Sequence, residues 1–514
     1  MNTANVHLDD LPTTDTDVLV VGAGPTGLMA GLVLARCGVA AVVVDRKEGT
    51  TRESRALAVQ ARSVEVYDQL GLAGQVLAGG ESALRLQIGE STRRVNLEQF
   101  QAGWTRFPGV HIFEQSRNEQ LLQQALREAG REVWWRHRLL DLLDTTGGDP
   151  QGRVVALLEG PDGLVRVRAR WCIGADGARS TVRRILDLPF DGVTDDATFW
   201  VADVHAVSGA ADDTVAFRFG QATFAVAFPL GPGGHVRFVG LAQRDDVDEE
   251  AAMASIRAEF GLTHGPVDWF STYRVHHRVA ARFRAGACFL AGDAAHVHSP
   301  VGGQGMNTGL QDAHDLALLL ADVVHGRVSA HALVRYERER RPVARHLVSV
   351  TDRAFGVVGR RGPVTALLRR RVASVAAVAY PRIGASPLGV RIGGYLGQYR
   401  IRYRYTNPAD PAPAWATDRA VGLRLPPVGD NDELLRAMTW QLHTYGATGV
   451  TRPDLPAWIE GPHTLIADEK KRLSPDRLYL VRPDGFVAAS FRLREGAADT
   501  AGVRSAAASH FLTT

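Results

Sequence analysis

The sequence predicts an α/β fold in which a parallel sheet flanked by helices is interrupted by an antiparallel sheet and followed by a second α/β region. Three observations carry this expectation. Short apolar, β-branched runs alternate with helix-forming stretches over residues 17–46 and again over 287–324. Between about 196 and 243 the pattern changes to consecutive strands divided by Gly, Asp and Pro. Near residue 400 the composition shifts, and TNPADPAPAWATD (406–418) reads as a linker or extended loop.

The first element is DVLVVGAGPTGLMAGLVLARCGVAAVVVDR (17–46). Val18 to Val21 suits a buried parallel strand. Gly22, Gly24 and Gly27 follow as G-x-G-x-x-G, with Pro25 and Thr26 between them, and Leu28 to Cys37 has helix-forming composition. Val39 to Val44 is a second strand that ends at Asp45. In this order Gly22 permits a tight turn, Gly24 lets a pyrophosphate approach the backbone, and Gly27 lets the helix pack close to the sheet. The helix N-terminus offers free N–H groups to phosphates, and Asp45 can accept hydrogen bonds from a ribose. Glycine makes up 53 of 514 residues. The bare glycine spacing therefore arises by chance roughly half a time in such a chain, and the strand–turn–helix–strand–acid context carries the weight. This stretch alone leaves NAD and FAD as alternatives.

The N-terminal residues 1–16 read as a disordered lead without the apolar core of a signal peptide. Beyond the first unit, Ser54 to Leu72 predicts a helix, 81–114 alternates like strands, and Gln115 to Ala129 is again helical. Val154–Leu158 and Leu164–Ile173 predict a hairpin turning at Pro161, Asp162 and Gly163. Strands are expected over 197–207, 215–219, 223–230 and 235–243, a helix over 249–260, and another from about Asn307 to Val324. Residues 330–380 read as arginine-rich helix.

Composition narrows the function classes. Net charge is +3, so nothing points to nucleic acid or a membrane surface. All but three of the 59 basic residues are arginine. Cys37, Cys172 and Cys288 form no C-x-x-C pair, so neither a metal site nor a disulfide framework is implied, and each should pack as a small hydrophobe. No apolar run of membrane-spanning length is visible, so a cytoplasmic location is expected.

Two further stretches bear on chemistry. In IGADGARSTVRR (173–184), Asp176 and Gly177 begin a turn and Ser180 can cap the following helix. In FLAGDAAHVHSPVGGQGMNTGLQDA (289–313), a strand ends before Asp293, and Gly302, Gly303 and Gly305 precede a helix. Backbone N–H groups there suit an anionic or electron-rich ring edge. His296 and His298 lack metal-ligand spacing with a carboxylate pair.

Together GAGPTG (22–27), GADGARSTVR (174–183) and AGDAAHVHSPVGGQGMN (291–307) resemble the motifs of class A FAD-dependent monooxygenases of the para-hydroxybenzoate hydroxylase type. LRLPPVG (423–429) and LYLVRPDGFVA (478–488) are similar to the C-terminal thioredoxin-like domain of the phenol and aromatic polyketide hydroxylase branch, here without a redox cysteine pair. The resemblance implies a Rossmann-like FAD-binding domain over 17–185 and 276–395, an inserted β-sheet substrate domain over 186–275, and a thioredoxin-like domain over 396–514. It places the FAD pyrophosphate at Gly22, Gly24 and Gly27, the adenosine ribose at Asp45, and further contacts at Arg46, Arg55 and Gln115. Asp176 would serve FAD and the nicotinamide nucleotide, Asp293 the ribityl region, and Pro300, Gly302, Gly303, Gly305, Met306 and Asn307 the flavin ring. DAHDLALLLA (312–321) departs from the family's Asn–Leu–x–Trp–Lys run, with Asp315, Leu318 and Leu319 in its place.

The resemblance further implies an NADPH- or NADH-consuming hydroxylase acting through a flavin C4a-hydroperoxide on a phenolic or polyketide-type aromatic with O2. A homodimer is compatible with that reading. Trp104, Phe224, Phe228 and Pro229 are the candidate substrate contacts. His111, His235 and Tyr273 are candidate bases, and no catalytic residue is assigned. Baeyer–Villiger insertion, epoxidation and antibiotic inactivation share the same motifs. A binding or sensing flavoprotein and a flavin-free NAD dehydrogenase are the rival classes. The W-x-W-x-I-P signature of flavin halogenases is absent.

Overall fold

The computed structural model describes residues 10–52, 56–89, 94–143, 153–220, 224–242, 246–298, 303–358, 386–405 and 411–513. The two apolar runs at the start form neighbouring parallel strands, Thr13–Val21 and Ala41–Asp45. The first begins four residues inside the stretch expected to be disordered: Thr13 to Thr16 pair with Arg166 to Ala169. Residues 1–9 lie outside the described residues.

This first strand sits in the middle of the main sheet. On one side lie Ala41–Asp45 and Val133–Trp135, and on the other Gly163–Gly174, Cys288–Leu290 and Arg284–Ala285. All these pairings are parallel except the last. Val18, Leu19, Val20, Cys172, Ile173 and Leu290 are fully buried, as near-continuous apolar strands covered on both faces must be. Helices Pro25–Arg36, Gln115–Glu128 and Gly305–Val324 pack together over the sheet. Cys172 and Cys288 are buried, and Cys37 is partly so.

The helix expected over Ser54 to Leu72 is shorter. Ala58–Gln60 is a strand paired with Val110–Ile112, and the helix covers Ala61–Gln69. A distant side chain decides this. Asn307 accepts from the Gln60 N–H at 2.8 Å and donates to the Ala58 carbonyl at 2.8 Å, holding that backbone extended.

The inserted sheet has eight strands among the described residues. In order they are His296–Val297, Val267–Ala280, Phe190–Val204, His235–Leu241, Phe224–Gly231, Thr214–Phe219, Arg85–Ile88 and Arg94–Asn96. It therefore exceeds the 186–275 span read from sequence: Arg85–Ile88 joins it in parallel with Thr214–Phe219. One face packs under helix Glu249–Phe260, burying Trp200, Ala202 and Phe238 against Met253 and Ile256. The other carries Phe199, Val215, Phe224, Val226 and Val275.

The C-terminal region holds a five-stranded sheet in the order Glu460–Leu465, Gln441–Tyr445, Arg477–Val481, Val487–Arg494 and Ala497–Ala498, followed by helix Thr500–Ser509. The first two strands are parallel and the rest antiparallel, the order expected of a thioredoxin-like core. The connection 446–459 between the parallel strands contains no helix.

Buried ion pairs fasten this region to the rest. Arg482 donates to Glu339 at 2.8 and 2.9 Å, to Asp315 at 2.9 Å, and to Asp484 at 2.6 and 3.1 Å. Asp315, the departure noted in the long helix, is thus a docking residue for the C-terminal region. Trp440 Nε1 donates to Asp322 of the same helix at 2.7 Å. Among the described residues, no helix is long and apolar enough to cross a membrane.

Candidate active site

Parallel register brings the three motifs together. Val21 pairs with Gly174 and with Val44, and Gly174 pairs with Leu290. Residues 22–27, 45, 175–177 and 291–293 therefore leave the same C-terminal edge of one sheet, where ligands of open α/β sheets bind.

The glycines differ in what they permit. Gly22 has φ +106°, and a Cβ there would lie 2.3 Å from the Ala175 oxygen. A Cβ at Gly27 would lie 1.8 Å from the Gly22 oxygen. Gly24 is different: a Cβ there meets nothing within 4 Å, and the residue lines a large cavity. Packing forces glycine at 22 and 27, whereas only an incoming ligand would require it at 24. Gly24→Val is therefore expected to leave the fold intact and to weaken cofactor retention at least tenfold, whereas Gly22→Ala should lower soluble yield. FAD content after dialysis and far-UV circular dichroism separate the two.

The cavity has a volume of about 2090 Å³. Gly22, Gly24, Pro25, Thr26, Asp45, Arg46, Gln115, Asp176, Asp293, Gly303, Gly305 and Met306 all line it. Helix Pro25–Arg36 and helix Gly305–Val324 both start there without a side-chain cap or an acidic residue in the first turn. Their free N–H groups and positive dipole ends suit phosphate or an electron-rich ring.

The carboxylates are in distinct states. Asp45 accepts from the Ala23 N–H at 2.6 Å and the Lys47 N–H at 2.8 Å, which fixes its orientation. Asp176 is held by its own helix: Ser180 Oγ donates to it at 2.5 Å, Thr181 N–H at 2.5 Å and Val182 N–H at 3.2 Å. Burial raises its pKa against these hydrogen bonds. Ser180 caps the helix as expected, accepting from Arg183 N–H at 3.0 Å. Asp293 faces the cavity and is exposed to it; the bulk of protein around the cavity raises its pKa while the charge of His296 opposes the rise.

Several residues expected at the site do not line the cavity. Asn307 is fully buried and lies outside the cavity lining, because its side chain is committed to Ala58, Gln60 and the Gly303 oxygen. Gly27 is likewise behind the lining, under Gly22. Pro229 lies on the opposite face of the inserted sheet from Phe224 and Phe228, as strand alternation requires, and borders a small separate hollow. Trp104 does not line the cavity: it stacks on Tyr399 with centroids 6.5 Å apart, under Arg400 and Arg472. His111 is buried beside Ser82 Oγ at 3.0 Å, and burial lowers its pKa. His235 stacks on His205 outside the cavity. Arg55, Pro300 and Gly302 lie outside the described residues.

Phe224, Phe228 and Tyr273 do line the cavity, and Tyr273 stacks on Phe199 with centroids 5.7 Å apart. Sequence reasoning missed Phe199, Phe217, Val226 and Val239 of the same face. Their period-two spacing with the named residues was the available signal.

It also missed the support of the Asp293 loop. Asp312, fully buried, accepts from Arg340 Nε at 2.7 Å and from the Gly292 N–H at 3.2 Å, and lies 2.7 Å from His296 Nε2. Burial pushes its pKa up, but Arg340 and His296 together hold it below the usual carboxylate range. Arg340 also donates to the Tyr403 hydroxyl at 3.0 Å. A charged residue in the middle of a buried helix was the sequence signal.

Comparison with known proteins places this geometry. A family model described as an FAD binding domain matches residues 15–351. A 6-methylpretetramide 4-monooxygenase of Streptomyces rimosus is 36% identical over 68% of this chain, and the chain spans 63% of that relative's length. A flavin-dependent monooxygenase of Mycobacteroides abscessus is 30% identical over 91% of this chain and 96% of its own. Among solved structures, an anhydrotetracycline hydroxylase from Streptomyces rimosus superimposes with a TM-score of 0.77 at 27% identity, covering 97% of this chain and 99% of that one.

Proposed function

The chain belongs to the FAD binding domain family of flavin-dependent monooxygenases, and from that premise we propose that it uses NADPH or NADH and O2 to hydroxylate a phenolic or polycyclic, polyketide-type aromatic. One observation carries the reading. A polar, glycine-lined cradle and an apolar aromatic wall share a single cavity of about 2090 Å³. Single-ligand pockets are usually about 300–1,000 Å³. The volume suits a dinucleotide cofactor together with a second, large ligand. Relatives named for 6-methylpretetramide and anhydrotetracycline support a large ligand on the apolar wall.

In this reading the cradle holds FAD. The N–H groups of Gly24 and Thr26 would meet the pyrophosphate, Asp45 the adenosine ribose, and Asp293 the ribityl chain. Gly303 and Gly305 present backbone donors to the carbonyl edge of the ring, where they stabilise negative charge. When bound, FAD supplies the redox and oxygen-transfer chemistry. The protein supplies orientation and dryness. Phe199, Phe217, Phe224, Phe228 and Val226 exclude water from the reacting face. Tyr273 brings a phenol ring into this wall, suited to meet a substrate phenol.

NADPH oxidation, O2 uptake and H2O2 release would be followed with a panel of phenols and polycyclic quinones. A substrate should accelerate NADPH oxidation and gain one oxygen atom. A colourless protein that takes up no FAD would sink the proposal. Asp293→Ala is expected to lose at least half its FAD on dialysis that leaves the wild type loaded; full retention would remove Asp293 from this role.

A further inference from the structure

The cavity-facing side of the inserted sheet carries a second cluster, beyond the aromatic wall. Asp203 pairs with Arg237 and Val204 with Val236. The next cross-strand pair is therefore His205 with His235, on the same face as Phe199 and about 20 Å further along the strand at 3.3 Å per residue. The backbone at His205 is fixed by its N–H to the Pro266 oxygen at 3.1 Å and by the Gly265 N–H to its own oxygen at 2.8 Å. That pinning sets Asp268, at the start of the third strand, beside it: His205 Nε2 lies 2.5 Å from Asp268 Oδ2. The two imidazoles stack with centroids 4.0 Å apart and planes 12° apart. One donor atom from each of the three residues lies within 4.8 Å of the others.

Two stacked imidazoles beside a carboxylate make an odd arrangement for structure alone. The surroundings favour a cation: His235 feels Asp203, Asp268 and Glu114, and the guanidinium of Arg237 nearby is bound between Asp203 and Glu114. Two nitrogen donors and one carboxylate oxygen match the ligand set and charge preferred by Zn(II)-class ions, with a fourth position left for water. Donors this close need only small χ rotations of part-exposed side chains to reach ligand distances of about 2.0–2.2 Å.

We propose that His205, His235 and Asp268 bind one divalent transition-metal ion of the Zn(II) class, which ties together the ends of three adjacent strands of the inserted sheet. The trio lies outside the lining of the candidate active site, so the ion is separate from the chemistry of that site. The proposal is independent of the hydroxylase reading.

The test uses the FAD-loaded full chain and zinc chloride, with equilibrium dialysis against a weak chelator and elemental analysis. The expected result is one equivalent of zinc per chain. His205→Ala, His235→Ala and Asp268→Asn should each weaken binding at least tenfold, while His331→Ala, a histidine elsewhere on the chain, should not. Flavin absorbance and circular dichroism should be unchanged in all four, which excludes misfolding as the cause. Zinc binding of equal strength in wild type and the three variants, or no stoichiometric binding in the wild type, overturns the proposal.

Discussion

Arg482→Ala is expected to destabilise the protein by about 3–5 kcal/mol, read as a fall in the urea midpoint, with the C-terminal region becoming protease-sensitive first. The size follows from what the guanidinium holds. It is the common donor to Glu339, Asp315 and Asp484, all nearly fully buried. Removing it leaves three carboxyls that can neither be hydrated nor ionise together. The cluster is already short of positive charge. Burial and the charge of Glu339 raise the pKa of Asp315 well above the ordinary value, whereas Arg482 holds that of Asp484 down against burial. For Asp315 the sign is adverse at neutral pH. A carboxyl whose folded pKa exceeds its unfolded value favours the fold at low pH and loses that contribution as pH rises through the folded value. Asp315→Asn, which keeps the shape without the charge, should therefore stabilise the protein more at pH 8 than at pH 5. Equal effects at the two pH values would contradict the assigned ionisation.

Asp312→Ala is the second large effect. It should cost about 3–5 kcal/mol and strip FAD from the protein, because Arg340 would be left without its buried counter-ion and Gly292 without its side-chain acceptor. The pH dependence is the reverse of that of Asp315. The folded pKa of Asp312 lies below the unfolded value of about 3.9. Its contribution is complete above that value and disappears as pH falls through the folded pKa. Acid unfolding of the wild type should thus be steeper below about pH 4 than that of Asp312→Asn. If Asp312→Ala kept its FAD and its urea midpoint, the loop would have to be held by something else.

These residues also mark the limit of what the sequence made legible. The strand ends at Val21, Gly174 and Leu290 could be read because each is a local event: an apolar run, then glycine and an acid. The inward faces of Phe224 and Phe228 could be named, but Pro229 was placed with them because composition does not state strand phase. Trp104 looked like a pocket aromatic, and Arg400 and Arg472, about 300 and 370 positions away, turned it into an interface residue. Ala58–Gln60 became strand through a side chain 247 positions beyond Gln60. Arg85–Ile88 joined the inserted sheet by a parallel pairing that no hairpin signal announces. Where one residue's neighbours are near in sequence, the reading held; where the partner is hundreds of residues away, only the folded chain shows it.

The register that aligns Val21, Gly174 and Leu290 has a kinetic consequence. Amides in such central strands exchange hydrogen only through global unfolding. The inner wall of the cradle is therefore as slow to open as the whole domain. A cofactor that enters or leaves on a timescale of minutes cannot do so by parting these strands. It must pass over the side formed by the segment around Gly303 and the inserted sheet. In a hydrogen-exchange experiment, adding FAD should slow exchange around Gly303 to Met306 and should also slow Leu19 to Val21, because binding raises the free energy of the global unfolding through which those amides exchange.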